Sequence, residues 1–183
     1  MTSLVNKINK FVSEYKVNNH EQEKKKAYNL IQKYPYEIKL LQAIGILFAQ
    51  NKKIEDACII FNRILDINPQ NINSLINIGI AYYELNKLDQ ALEYLNKAKY
   101  LKKRQDEVFF ILGLIFEKNK KFDKAIFNYN ESIKYNSNNS DALINLGNIY
   151  LQNNNYDNAK ILYKKISDCK HKIKNIVLIN NDS

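Results

Sequence analysis

Apolar residues recur along most of this chain at helical spacing, and the pattern itself then repeats. In the stretch 72–105, Leu75, Ile78, Gly79 and Tyr82 stand at i, i+3, i+4 and i+7, which lines one face of a helix. The polar run ELNKLD interrupts that period, and QALEYLNKA resumes it. The same marks return every 34 residues: the four glycines Gly45, Gly79, Gly113 and Gly147, with Ala57, Ala91, Ala125 and Ala159 twelve residues behind them. Large apolar residues keep the register, as in Leu41, Leu75, Phe109 and Leu143, or Phe48, Tyr82, Phe116 and Tyr150. Ile54, Leu88, Phe122 and Tyr156 form a third set, and Phe61, Tyr94 or its neighbour Leu95, Tyr129 and Tyr163 a fourth. A period of this length signifies stacked supersecondary units.

Four units follow, 38–71, 72–105, 106–139 and 140–173, each predicted to be a hairpin of two helices. Each helix has about 14 residues and spans roughly 21 Å, and a loop of about three or four residues forces the pair antiparallel. Glycine inside a helix costs about 1 kcal/mol relative to alanine, so its regular placement calls for a packing reason. Gly79 and Ala91 are expected where the two backbones of a hairpin approach. Pro35 and Pro69 mark helix ends, because proline cannot donate to the helical ladder.

This order of an apolar residue, an apolar-Gly pair, an aromatic, Ala, a second aromatic, a second small position and Pro resembles the tetratricopeptide repeat, whose unit carries an apolar residue, Leu-Gly, Tyr, Ala, an aromatic, Ala and Pro. The stretch LINLGNIYLQNNNYDNAKILY is close to a consensus hairpin of that family. The resemblance spans residues 38–171 and implies an all-α fold, an α-solenoid of stacked antiparallel helix hairpins in a right-handed superhelix. Two departures bear on the angles between units. Lys103, Ser137 and His171 replace the terminal proline, and the second small position of the second helix holds Ile64, Ala98, Ser132 and Ile166.

Residues 1–37 read as a degenerate N-terminal capping repeat of two helices. One carries Ile8, Phe11, Val12 and Tyr15, and the other Ala27, Leu30, Ile31 and Tyr34. Terminal units of solenoids are atypical because one side meets water. Residues 174–183 are a short C-terminal cap or a frayed tail, with Ile173, Ile176 and Val177 able to form one apolar face.

Composition narrows the class. Four Gly and two Pro among 183 residues are too few for an all-β chain. No apolar run reaches the length of a membrane span, and MTSLVNKINKFVSEYK lacks the apolar core of a secretory signal. A cytoplasmic protein without membrane insertion is expected. Cys58 and Cys169 have no metal-like spacing and read as reduced thiols, Cys58 as a small core residue. The net charge of +9 raises the question of nucleic acid, yet only Arg63 and Arg104 of the 28 cationic residues are arginine. The lysines accompany abundant Asn, Ile and Tyr, a company that A/T-rich codons produce without selection for phosphate binding. The runs Lys24–Lys26, Lys102–Arg104 and Lys118–Lys121 would have to share one face to form a footprint. Nucleic-acid binding is therefore not the expected role.

No nucleophile motif, phosphate loop or metal-ligand spacing stands out. His20 and His171, the only histidines, read as surface residues, and acids such as Glu55, Asp56 and Asp89 as turn and helix-exterior groups. Asp89, Asp123 and Asp157 recur at the start of second helices, where a negative group complements the N-terminus. The expectation is a non-enzyme with no catalytic residue, no cofactor and no metal.

In the resembled family, the first helices of successive hairpins line a concave peptide-binding groove. The positions implied here are Lys39, Gln42, Ala43, Ile46 and Gln50, then Asn73, Ile76, Asn77, Ile80 and Tyr83. Glu107, Phe110, Ile111, Leu114 and Lys118 follow, then Asp141, Ile144, Asn145, Asn148 and Gln152. Ile76, Ile80, Phe110, Ile111, Leu114 and Ile144 form an apolar middle of the kind that marks a binding site, although each singly is as well explained by packing against a neighbouring helix. Asn77 and Asn145 could bond the backbone of an extended ligand, while Ala43 and Ile111 interrupt that ladder. The resemblance does not extend to the carboxylate clamp for Hsp70 and Hsp90 tails. One three-unit window holds Gln42, Ile46, Asn77, Glu107 and Ile111, and only Asn77 matches.

The function expected is a protein–protein interaction module, a scaffold or adaptor that binds a peptide segment with apolar anchors, Phe110 and Ile80 dominating. Lysine at Ile111 should then abolish binding and leave helicity intact. The alternatives are a targeting subunit of a transferase or other enzyme system, RNA binding through lysine-rich faces, and self-association through the apolar patch.

Overall fold

A computed structural model describes residues 3–167, and these fold into helices without any strand. The tail positions Ile173, Ile176 and Val177, with Cys169 and His171, lie outside the described residues. The chain divides into two compact units, with the boundary between Leu101 and Lys102.

The first unit runs through α1 (Leu4–Glu14), a short 3-10 turn at Val17–Asn19, α2 (His20–Lys33), α3 (Ile38–Gln50), α4 (Ile54–Ile67), α5 (Ile72–Glu84) and α6 (Leu88–Tyr100). Helices α3 and α4 pair as one hairpin, α5 and α6 as the next, and α4 packs against α5. Phe11 of α1 and Ala27 and Ile31 of α2 are buried in one core with Leu40, Leu41, Ile44 and Phe48 of α3 and Ile60, Phe61 and Ile64 of α4. Val12 is exposed, whereas Phe11 and Ile8 of α1, and Tyr15 just past its end, pack against this core.

The second unit holds α7 (Gln105–Lys118), α8 (Phe122–Tyr135), α9 (Ser140–Gln152) and a further helix, α10, at residues 156–167. Its core gathers Ala125, Tyr129, Ala142, Leu146 and Ile149.

Each hairpin turn is three residues long, and all four have the same backbone design. The middle residue, Lys52, Asn86, Lys120 or Asn154, is left-handed with φ between 56° and 60°. The next N–H then reaches back across the helix end: Lys53 to the Phe48 carbonyl at 2.9 Å, and Lys87, Lys121 and Asn155 to Tyr82, Phe116 and Tyr150 at 2.8 Å. This Schellman closure satisfies carbonyls that the helix end would leave bare. Asparagine also manages the return connections. The side chains of Asn71 and Asn139 cap α5 and α9, accepting from the N–H groups of Ser74 and Ala142 at 3.0 and 3.1 Å. The equivalent position at the unit boundary is Gln105, preceded by left-handed Arg104, and α7 has no such side-chain cap.

The repeated glycine has a more specific cause than the approach of two backbones. A Cβ on Gly45 would stand 2.5 Å from the Phe61 ring, and one on Gly79 2.6 Å from Leu95 Cγ. Gly113 meets the Tyr129 ring in the same way, and Gly147 meets Tyr163 at 2.9 Å. A large side chain from the second helix lies directly on the bare backbone of the first. Leu95, not Tyr94, holds that place in its hairpin and is fully buried, while Tyr94 is half-buried beside the core and donates to Asn62 Oδ1 at 3.2 Å.

Core register also exposes one mismatch. Leu40, Ser74, Val108 and Ala142 are equivalent and buried, and the Ser74 hydroxyl has no hydrogen-bond partner. Ser74→Ala should raise stability by about 1 kcal/mol, because it removes an unsatisfied buried group. Two glycine substitutions should separate by urea denaturation. Gly113→Ala forces a methyl into the ring of a buried tyrosine and should cost about 2 kcal/mol. Gly147→Ala meets only the outer end of the half-exposed Tyr163 and should stay within about 1 kcal/mol of wild type, aided by better helix propensity.

Candidate protein-binding face

In the first unit, α3 and α5 are the first helices of their hairpins, and an open apolar seat lies between them. Its volume is about 110 Å³. Phe61, Ile54 and Ala81, all buried, form its floor, and Ile46, Ala49 and Ile80 its walls. Gln50, Asn77 and Glu84 stand at the rim and supply polar groups of both kinds. Ile46 is 43% exposed at the wall of the seat. Glu84 faces Lys52 Nζ at 3.6 Å, so the rim is charge-balanced on that side.

Other positions implied for the groove have different fates. Ile76 is fully buried, whereas Tyr83 is half-buried. In the second unit, Phe110 and Leu114 are half-buried against the core, the Phe110 ring 6.0 Å from that of Tyr129. Ile144 is 38% exposed on α9, Asn145 is half-buried, and Asn148 accepts from the Tyr163 hydroxyl at 2.7 Å. Ile111 is only 4% exposed. Ile76 and Ile111 therefore offer no surface to a ligand. Lysine at 111 would bury an ammonium group and test folding rather than binding, which corrects the expectation that helicity would survive it.

Several titratable groups of the first unit meet in one cluster. His20, expected at the surface, is nearly buried at the start of α2 and joins that helix to α4. Its Nε2 lies 2.7 Å from Asp56 Oδ2 and its Nδ1 2.7 Å from the Tyr15 hydroxyl, while its ring meets Phe48 edge-on at 5.2 Å. An ionised carboxylate can only accept, so Nε2 donates to Asp56 and, in the neutral ring, Nδ1 accepts from Tyr15. Lys24 Nζ completes the group at 2.6 Å from Asp56 Oδ1. Asp56 is thus an interior ligand of two cations or donors rather than a helix-exterior acid. Burial pushes its carboxyl up, but the hydrogen bonds and charges of Lys24 and His20 outweigh that and hold it below the usual carboxylate range. The periodic pattern gave no sign of this pairing, since the equivalents of Asp56 are Gln90, Lys124 and Asn158. Burial raises the Cys58 thiol, which is free and packs with Ile54, Ala81 and Leu85. Among the described residues, no cluster of three or more His, Cys, Asp or Glu could hold a metal, and no helix is long and apolar enough to cross a membrane.

Sequence models of the tetratricopeptide repeat family match residues 72–105 and 117–173. The chain is a tetratricopeptide repeat protein. Its fold is that of a crystal structure of MamA, with a TM-score of 0.77 at 16% identity over 96% of this chain and 99% of that one. Pseudomonas aeruginosa pilF gives 0.74 at 20% identity, covering 88% and 73%, and MamA 41-end from Desulfovibrio magneticus RS-1 gives 0.71 at 14%, covering 83% and 86%. At such identities the likeness is one of fold. No curated protein matches the chain in sequence. Tetratricopeptide repeats are in general non-catalytic modules that bind proteins, and this one carries the same hairpin architecture.

The Asp56 cluster makes a pH-dependent contribution. Because the folded carboxyl is depressed, its stabilisation is fully present above the ordinary carboxylate pKa and fades as pH falls through the folded value. Asp56→Ala should cost about 2 kcal/mol at neutral pH by chemical denaturation. The gap from wild type should narrow below about pH 4.

Proposed function

We propose that this tetratricopeptide repeat protein is a scaffold or adaptor that binds a segment of a partner protein against the first helices of its hairpins. The observation that carries this is the open seat between α3 and α5, where Ile46 and Ile80 remain accessible above a closed apolar floor. An apolar side chain of the ligand enters the seat, and Asn77 and Gln50 bond the backbone beside it. In the second unit, Phe110, Leu114 and Ile144 offer further apolar contact and Asn145 a polar one. Ile76 and Ile111 support these surfaces from within. The rim of Gln50, Asn77 and Glu84, the last balanced by Lys52, favours a segment selected by apolar shape over one selected by charge.

The test is a cross-linked pull-down from the native extract with wild type and Ile80→Lys. Lysine at this rim position can extend its ammonium into water, so circular dichroism should be unchanged while the partner's affinity falls by about 2 kcal/mol or more. Phe127→Lys, on an exposed position of α8, should retain the partner. Equal capture by wild type and Ile80→Lys would overturn the reading.

A further inference from the structure

The outward side of α4 carries a second surface. At 3.6 residues per turn, Ile59, Arg63 and Asp66 lie on the side of the helix opposite Ile54, Phe61 and Ile64, which are buried. With Pro35, Tyr36 and Ile67 they border an open hollow of about 780 Å³. Tyr36 is 78% exposed and Ile59 54%. Among the described residues, neither Arg63 nor Asp66 has a hydrogen-bond or ion-pair partner, whereas the other arginine, Arg104, pairs with Glu107.

We propose that this face is a two-fold interface between two copies of the chain, each Arg63 lying over the Asp66 of the other. The two residues are three positions apart, about 4.5 Å along the helix. Two α4 helices crossing antiparallel about a dyad set Arg63 against Asp66 twice, since a two-fold contact that takes i to j also takes j to i. A second copy is the partner whose cation and carboxylate occur in the complementary order without any further requirement. Local charge points the same way. The chain as a whole carries +9, which resists self-association, but this patch holds one charge of each sign. An acidic partner would instead be drawn to surfaces such as Lys120, Lys121 and Lys124 around Phe122. Exposed Tyr36 and Ile59 supply the apolar contact beside the ion pairs, and tyrosine and arginine are the residues in which interfaces are enriched. Since α4 turns the opposite side to the seat between α3 and α5, the dimer leaves both copies of that seat open.

Sedimentation equilibrium of the full chain across a concentration series tests this. Wild type should approach the dimer mass. Arg63→Asp and Asp66→Arg should each remain monomeric, with self-association weakened roughly a hundredfold because each like-charge contact occurs twice. Mixing these two variants should restore a dimer. The Arg63→Asp copy then presents two carboxylates across the dyad to the two guanidinium groups of the Asp66→Arg copy, a result that misfolded variants could not give. A wild type that stays monomeric would overturn the proposal, as would single variants that dimerise or a mixture that does not.

Discussion

The contact on which this architecture depends is a large side chain pressed onto a bare stretch of helix backbone. Phe61, Leu95, Tyr129 and Tyr163 each occupy the space where a Cβ would be on Gly45, Gly79, Gly113 and Gly147. The contact sets how near the two helices of a hairpin come. The helix-propensity cost of glycine, about 1 kcal/mol, is offset where Phe61, Leu95 and Tyr129 are buried whole, each worth about 1.5–3 kcal/mol. The tyrosines add a polar lock. Tyr129 donates to Glu117 Oε2 at 2.6 Å, and Tyr163 to Asn148, both on the first helix of the same hairpin.

From that contact the candidate binding surface follows. With one side of the first helix committed to its partner, the residues a turn away are left to face the next hairpin or the solvent. Between α3 and α5 the result is a floor made from second-helix residues, Ile54 and Phe61, with first-helix residues as walls. The floor residue Phe61 is the same one that rests on Gly45. The hairpin contact and the candidate binding seat therefore share a side chain, and hairpin packing and seat shape are coupled through it.

The phase of the repeat was legible because the four glycines, and Ala57, Ala91, Ala125 and Ala159 behind them, sit where a larger side chain has no room, and such marks recur without ambiguity. The division of the groove was not. Ile76 and Ile80 are the same residue type four positions apart on one helix, the first buried and the second partly open, and Ile111 is one position out of phase with Ile76. Hydrophobicity alone does not say which is which. The turn geometry was half legible: Asn86 and Asn154 are residues that tolerate left-handed backbone, but Lys52 and Lys120 carry no such mark. The His20–Asp56 contact lay beyond reach because it joins α2, which lacks the repeated glycine and alanine marks, to α4 alone, and periodicity is silent about an event that happens once.

The equivalent core positions also amount to an experiment that the chain has already run on itself. Phenylalanine, leucine and tyrosine all fill the place over the glycine, and isoleucine, alanine and serine all fill the place of Ile64, Ala98 and Ser132. Where the smaller Ser132 stands, its hydroxyl donates to the Asp106 carbonyl at 2.7 Å and accepts from Asn139 at 2.9 Å, so lost volume is exchanged for a tether to the neighbouring connections. Each hairpin is thus a tolerated variant of the others, and a substitution copied from one repeat into the same register of another arrives with its compensating neighbours already known.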